Sequence, residues 1–143
     1  MDSQTIEMPA PVHCCEVRVL YGDTDSGGVV YYANYLRYFE HGRTEFMRDK
    51  LLSYKELEDK GLILPVVENY IRYKAPAVYD DLLRVETALL DVRNVSCRFN
   101  YRITRKNDSR LLVKGYTVHA AVNREGRLTR LPDDVLARLN ELA

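Results

Sequence analysis

Tyr21–Arg48, YGDTDSGGVVYYANYLRYFEHGRTEFMR, is the stretch that decides the fold. It begins at the end of a strand-like run and passes two closely spaced carboxylates, Asp23 and Asp25. It turns on Gly27-Gly28, crosses an apolar link and enters the longest helical pattern in the chain. The helix reads from about Asn34, which suits an N-cap, to about Lys50. Tyr35, Phe39, Gly42 and Phe46 recur at three- and four-residue steps, and Leu36, Tyr38 and Met47 widen the stripe. Arg37, Arg43, Glu45 and Arg48 mostly decorate the other faces. So broad an apolar face needs a large surface to lie against. Gly42 is costly in mid-helix, by about 1 kcal/mol relative to Ala, and close packing on a sheet would explain it.

The sequence on either side supplies that sheet. His13 to Tyr21 alternates with period two, which predicts a strand leading into the loop GDTDSGG. Ser53 to Lys60 predicts a short second helix with Ser53 as N-cap and Gly61 ending it. Strand-like runs follow at Leu62–Lys74, Leu82–Val92, Val95–Arg105 and Leu111–Val122. In the clearest of them Val95, Cys97, Phe99, Tyr101 and Ile103 face one way, and Ser96, Arg98, Asn100, Arg102 and Thr104 the other. Links this short leave no room for crossover helices, so the strands pair antiparallel. Pro132 to Leu142 predicts a terminal amphipathic helix with Val135, Leu139 and Leu142 on one face. The expectation is an α+β domain over residues 13–143, about five strands curled around one long helix. Residues 1–12, polar and Pro-containing, read as a flexible lead.

Bulk composition narrows the function classes. The 143 residues suit a single domain that needs neither disulfide nor metal to fold. Lys+Arg and Asp+Glu are both 21, so no basic excess points to nucleic acid or a membrane surface. The three cysteines form no C-x-x-C pair and read as reduced thiols. No apolar run reaches the length of about 18 residues that suggests a membrane span, and the expected compartment is the cytoplasm.

Asp25 is the first candidate for chemistry. A carboxylate ahead of a helix start lies near N–H groups that can receive developing negative charge. Turn-making or capping is the other reading, for Asp25 and for Asp23 alike. Gly27 and Gly28 are turn formers that also let backbone approach a ligand. Glu40 lies about 9 Å and Glu45 about 16 Å along the helix from Asn34, away from its N-terminus. Glu45 suits an ion pair with Arg48 or Arg43, and Glu68 faces a cleft only if its strand borders one. His13, His41 and His119 show no metal-ligand spacing and no triad with Ser or Cys. The eleven tyrosines divide between core, interface and an aromatic pocket. Arg98 and Arg102, with Arg105, Lys106, Arg110 and Lys114 nearby, are either a solvated hairpin or a phosphate site.

The run from Tyr21 to Glu45 resembles the hotdog-fold acyl-CoA thioesterases of the 4-hydroxybenzoyl-CoA thioesterase class, in particular the branch found beside the bacterial Tol–Pal genes. The likeness continues through YKAPAVYDDLLRVET, the strand at Val95–Ile103, VKGYTVHAAVN and the late RLP. It implies a hotdog fold whose subunits pair into a homodimer or homotetramer with sites at the subunit interface. It implies an acyl-CoA substrate, no cofactor and no metal. Asp25 falls at the family's catalytic carboxylate, and Tyr32 at the oxyanion donor, acting through its backbone N–H. Tyr31 and Gly28 belong to the same motif as packing or pocket residues. Two positions depart from the family pattern: Tyr32 stands where many relatives have His, and Tyr79 where Gly is common. The expected activity is hydrolysis of an acyl-CoA to a free acid and coenzyme A, with Asp25 as nucleophile or general base. A non-catalytic acyl-CoA- or acyl-carrier-protein-binding module is the alternative, and a hotdog dehydratase a third.

Overall fold

The computed structural model describes residues 5–143. The long helix, α1 (Tyr35–Lys50), buries Tyr35, Tyr38, Phe39, Gly42, Phe46 and Met47, the stripe that its periodicity predicts. These side chains lie on one face of a five-stranded sheet. Its strands are β1 (His13–Arg18), β2 (Val66–Tyr73), β3 (Leu82–Arg93), β4 (Ser96–Arg105) and β5 (Leu111–Ala120). They run in the order β1-β3-β4-β5-β2 with every pairing antiparallel. The predicted α+β hotdog architecture is therefore present. Two short helices complete it: α2 (Tyr54–Asp59), closed by a Ser53–Glu56 capping box, and α3 (Asp133–Leu142), which buries Val135, Leu139 and Leu142.

Helix and sheet meet closely. Phe39 stacks on Tyr101 of β4 with centroids 4.1 Å apart, and Phe46 meets Phe99 edge-on at 5.8 Å. Each such ring contributes about 1.5–3 kcal/mol by leaving water. A Cβ on Gly42 would stand 2.6 Å from Thr87 Oγ1 and 2.7 Å from Val85 Cγ1, so the mid-helix glycine is where α1 seats on β3.

Two local expectations differ from the structure. The first strand stops at Arg18, and Tyr21–Asp23 forms a 3-10 turn instead. The Asp23 carboxylate accepts from Leu20 N–H at 2.9 Å, which pulls the chain out of the ladder. Asn34 holds the N-cap position of α1 as expected, but its side chain makes no capping bond: it donates to Asp23 O at 2.9 Å, and a 3-10 turn, Tyr32–Asn34, feeds directly into the helix. Of the lead predicted over residues 1–12, residues 1–4 lie outside the described residues. In the remainder Ile6, Met8, Pro9 and Pro11 are half-buried, and Glu7 O accepts from Asn100 Nδ2 at 2.8 Å on the sheet face opposite α1.

The core also holds a polar row. Tyr101, Thr117 and His119 are almost fully buried and hydrogen-bonded in series, Tyr101 OH to Thr117 Oγ1 at 2.6 Å and Thr117 Oγ1 to His119 Nε2 at 2.8 Å. His119 Nδ1 meets Leu64 O at 3.0 Å. Burial pushes His119 down from 6.5 to about 4. The unfolded chain therefore binds this proton at a higher pH than the folded one. The stability held in neutral His119 is complete above about 6.5 and is lost as pH falls through about 4, up to about 3 kcal/mol. The melting temperature is expected to fall between pH 7 and pH 5 in the wild type and to stay flatter in His119→Gln, as thermal melts across that interval would show.

Candidate active site

The loop ahead of α1 is a small antiparallel excursion. Tyr31 N–H donates to Asp23 O at 2.9 Å, and Asp25 N–H to Val29 O at 2.8 Å, around a Thr24–Val30 bridge. The reversal is made at Gly28, whose φ of 82° suits glycine and whose N–H donates to Asp25 O at 3.0 Å. The pairing carries Asp23 back beside Tyr31 at the start of the helical run and leaves Asp25 opposite Val29 near the tip. Asp25 is exposed, and its Oδ1 accepts from Gly27 N–H at 2.8 Å in a local turn.

Asp23 is built differently. It is only 7% exposed, and its Oδ2 accepts from both Leu20 N–H and Tyr38 OH at 2.9 Å. Arg37 Nη1 approaches its other oxygen at 3.8 Å. Burial, followed by the bond to Asp23, pushes the Tyr38 phenol well above its ordinary range. Asp23 thus ties the loop to α1, whereas the Asp25 carboxylate meets solvent.

Tyrosines frame the loop. Tyr31 is extended, and Tyr32 begins the 3-10 turn that continues into α1. The first N–H groups of a helical turn have no partner within the helix, and Tyr32 occupies the first position of this one. The Tyr31 and Tyr32 rings lie 4.8 Å apart, and their hydrogen bond, more than the nearby Asp25 charge, pushes the Tyr31 phenol up. Tyr73 of β2 donates its OH to Tyr32 O at 3.0 Å, and Tyr35 OH accepts from Ala77 N–H at 3.2 Å. Tyr79 sits beside the loop with its ring edge-on to Tyr21 at 5.6 Å. The positive φ of that turn belongs to Asp80, at 72°, so position 79 does not demand glycine.

Asp25, Gly28, Tyr31 and Tyr32 lie on one short loop ahead of α1, and Arg98 and Arg102 lie elsewhere. Both arginines alternate with the buried Cys97, Phe99, Tyr101 and Ile103, which places them on the face of β4 turned away from α1. Arg98 lies 3.8 Å over the Tyr116 ring and donates to Asn100 Oδ1 at 2.9 Å. The rest of the basic cluster is dispersed: Arg105 holds Asp108, Asp81 and Pro76 O, while Lys106 Nζ pairs with Glu16 at 2.7 Å. Glu45 pairs with Arg48 at the surface, and Glu68 hydrogen-bonds Tyr116. Sequence reasoning missed Tyr73, whose signal was its place at the end of an apolar run beside the helix start. Among the described residues no cluster of three or more His, Cys, Asp or Glu could hold a metal ion, and no helix is long and apolar enough to cross a membrane.

The profile of the thioesterase-like superfamily matches residues 19–139. The acyl-CoA thioesterase YbgC of Haemophilus influenzae is 37% identical over 129 residues, 88% of this chain and 93% of that protein. The acyl-CoA thioester hydrolase YbgC of an Escherichia coli O6:H1 strain is 38% identical over 95 residues, 66% of this chain and 71% of its own length. The crystal structure of TT1821 from Thermus thermophilus superposes with a TM-score of 0.87 at 31% identity, covering 92% of this chain and 98% of that one. A superfamily match across the loop, α1 and the whole sheet, joined to a sheet of the same architecture, makes this chain a member of the thioesterase-like superfamily.

Proposed function

We propose that the protein hydrolyses acyl-CoA thioesters, with Asp25 as the reacting carboxylate and the Tyr32 backbone N–H as oxyanion donor. What supports this reading is an exposed carboxylate, Asp25, on the short loop that leads through Tyr31 into the first turn at Tyr32, close enough for its charge to act on the Tyr31 phenol. The thioester oxygen would accept from Tyr32 N–H while Asp25 attacks the carbonyl carbon or takes a proton from an attacking water. In the base route water adds, the C–S bond breaks, and the proton held by Asp25 passes to the leaving sulfur as the free acid forms; in the nucleophilic route C–S cleavage leaves the acyl group on Asp25 as an anhydride and coenzyme A as a thiolate that takes a proton from solvent, and water then cleaves the anhydride to the free acid. Either route uses the N–H for charge that develops only during reaction, a contact worth about 2.7–4 kcal/mol in other hydrolases. Because the donor is backbone, Tyr in place of His at position 32 leaves it in place. Trapping the free thiol released from a panel of acyl-CoAs tests the reading. Steady release supports it, and saturable binding without release would replace it with a binding module.

The assembly belongs to the same proposal. β2 is an edge strand, and Val66, Val67 and Tyr73 on it are 42%, 62% and 43% exposed. An unpaired edge with exposed apolar side chains suits a second copy that continues the sheet. Such a partner would also wall the open loop, giving a homodimer, or a homotetramer if dimers associate. Arg98 and Arg102 would serve the nucleotide phosphates of a substrate at Asp25 only if another subunit presents its outer face there. Light scattering is expected to give an even multiple of the chain mass, and the double change Val66→Asp, Val67→Asp to shift it to the monomer. A monomeric wild type would contradict this assembly.

A further inference from the structure

The turn that begins at Tyr32 is held through its carbonyls. Tyr31 O, on the same peptide as the Tyr32 N–H, accepts from Asn34 N–H at 2.8 Å. A peptide is planar and trans, so holding that carbonyl sets the direction of the N–H. Asn34 also donates from its side chain to Asp23 O, which takes Tyr31 N–H as well. All of these bonds lie within the loop and its turn. Tyr32 O is different. It accepts from Tyr73 OH at 3.0 Å, and Tyr73 stands 41 residues on, at the end of β2.

Tyr73 has a firm seat. It pairs with Val113 of β5 and has the parity of Ile71, whose partner Gly115 lies against Phe39 of α1. Its ring stands edge-on to Tyr35 at 5.6 Å and to Tyr32 at 6.3 Å. Tyr35 is 3% exposed, and Ala77 N–H donates to its OH at 3.2 Å, so the ring that Tyr73 leans on is itself fixed. Burial, followed by the neighbouring Tyr32 and Tyr35, pushes the Tyr73 phenol up, and it keeps the hydrogen that it donates. Phe would fill the same space and keep both ring contacts. The hydroxyl adds one thing, a bond to the main chain of the turn ahead of α1.

We infer that Tyr73 is a positioning residue for the Tyr32 N–H, tying the turn that bears this donor to the sheet. The inference rests on the acyl-thioester reading for what that N–H does. Tyr32 has a peptide plane on each side, with its N–H on the first and its carbonyl on the second. Asn34 holds the first plane and Tyr73 the second, so the torsions between them have little freedom. Without the hydroxyl the second plane is held less firmly, and the N–H drifts with it. An oxyanion donor acts only within about 2.7–3.1 Å of the developing charge, so a small drift is costly. The contact is made in the transition state, and its loss falls on kcat rather than KM.

Tyr73→Phe in the full-length protein tests this by kinetics and by NMR. On an acyl-CoA that the wild type hydrolyses, kcat is expected to fall about tenfold, with KM within about twofold of the wild-type value. Melting curves, and the number of sites titrated by a non-hydrolysable S-alkyl-CoA thioether, establish that the variant is folded and its sites intact. Tyr31–Tyr32 is the only Tyr–Tyr pair in the sequence, and Tyr32–Ala33 the only Tyr–Ala pair. Carbonyl-labelled tyrosine with nitrogen-labelled tyrosine therefore gives one cross-peak, from the Tyr32 N–H. With nitrogen-labelled alanine instead, the one cross-peak reads the Tyr32 carbonyl. Both signals are expected to shift in Tyr73→Phe, the carbonyl upfield as its hydrogen bond is lost. An unmoved Tyr32 N–H signal, or an unchanged kcat, would overturn the positioning role. A wild type that releases no coenzyme A would refute the thioesterase reading instead, and the Tyr32 signals would still decide for or against Tyr73.

Discussion

Asp25→Asn is expected to fold as the wild type does and to lose acyl-CoA hydrolysis by about 10²–10⁴-fold in kcat. Asn keeps an oxygen where Asp25 Oδ1 accepts from Gly27 N–H, so the local turn survives. The side chain is exposed, and the stability change stays within about 0.5 kcal/mol. What disappears is the negative charge and the ability to attack or to hold a proton. Tyr32 N–H remains, so acyl-CoA binding changes little and the loss appears in turnover. Asp23→Asn gives the opposite pattern. Its Oδ2 takes two hydrogen bonds inside the protein, and replacing it costs about 1–3 kcal/mol of stability. Melting curves beside kcat separate the two aspartates; a stable Asp25→Asn with wild-type kcat would remove the proposed role.

Gly115→Ala is expected to be the most destabilising single-methyl change in the sheet. A Cβ there would stand 2.2 Å from Tyr70 O, 3.1 Å from Phe39 Cε2 and 3.2 Å from Ile71 Cα. Two of these atoms are backbone of β2, so no rotamer relieves the clash. β2 has to move away from β5, and the Ile71–Gly115 pairing goes with it. A loss of about 3 kcal/mol or more follows, against a total of about 5–15 for a domain. Gly42→Ala is milder because it meets the ends of Thr87 and Val85, which can turn. Because β2 also carries the proposed subunit edge and Tyr73, Gly115→Ala should weaken assembly as well. Denaturant titration reads the difference, and equal stability for the two variants would show that β2 yields freely.

The elements most legible in the sequence were those with a strict period. The stripe Tyr35, Phe39, Gly42, Phe46 is the buried face of α1, and Cys97, Phe99, Tyr101, Ile103 is the buried face of β4. Local competition was less legible. Asn34 looks like a cap because the residue type favours one, but the Asp23 carbonyl takes its side chain. Tyr21 continues a period-two pattern, but the Asp23 carboxylate ends the strand before it. Strand order depends on contacts far apart in sequence, so nothing near Val66–Tyr73 marks it as the outer edge next to β5. Arg43 was grouped with the polar faces of the helix, although it stands one turn from Phe39 and one from Met47, on the sheet side. Thr117 and His119 share the parity of the buried Val113 and Gly115, a signal available in the alternation.

For the site, nearness in sequence misled in one place. Arg98 and Arg102 lie close to other cations along the chain, yet the pleat turns them to the face away from α1. The two aspartates show the converse. Spacing alone treats them alike, while burial separates them into a loop tie and a solvent-facing carboxylate.

Asp25 as the reacting carboxylate is tested most directly by a side-by-side measurement of free thiol and free carboxylic acid from a panel of acyl-CoAs, using wild type and Asp25→Asn. Steady release of both products in equal amounts by the wild type is expected for at least one acyl group, and at least about a hundredfold less by the variant. Binding without release by the wild type, or equal release by both proteins, would contradict it.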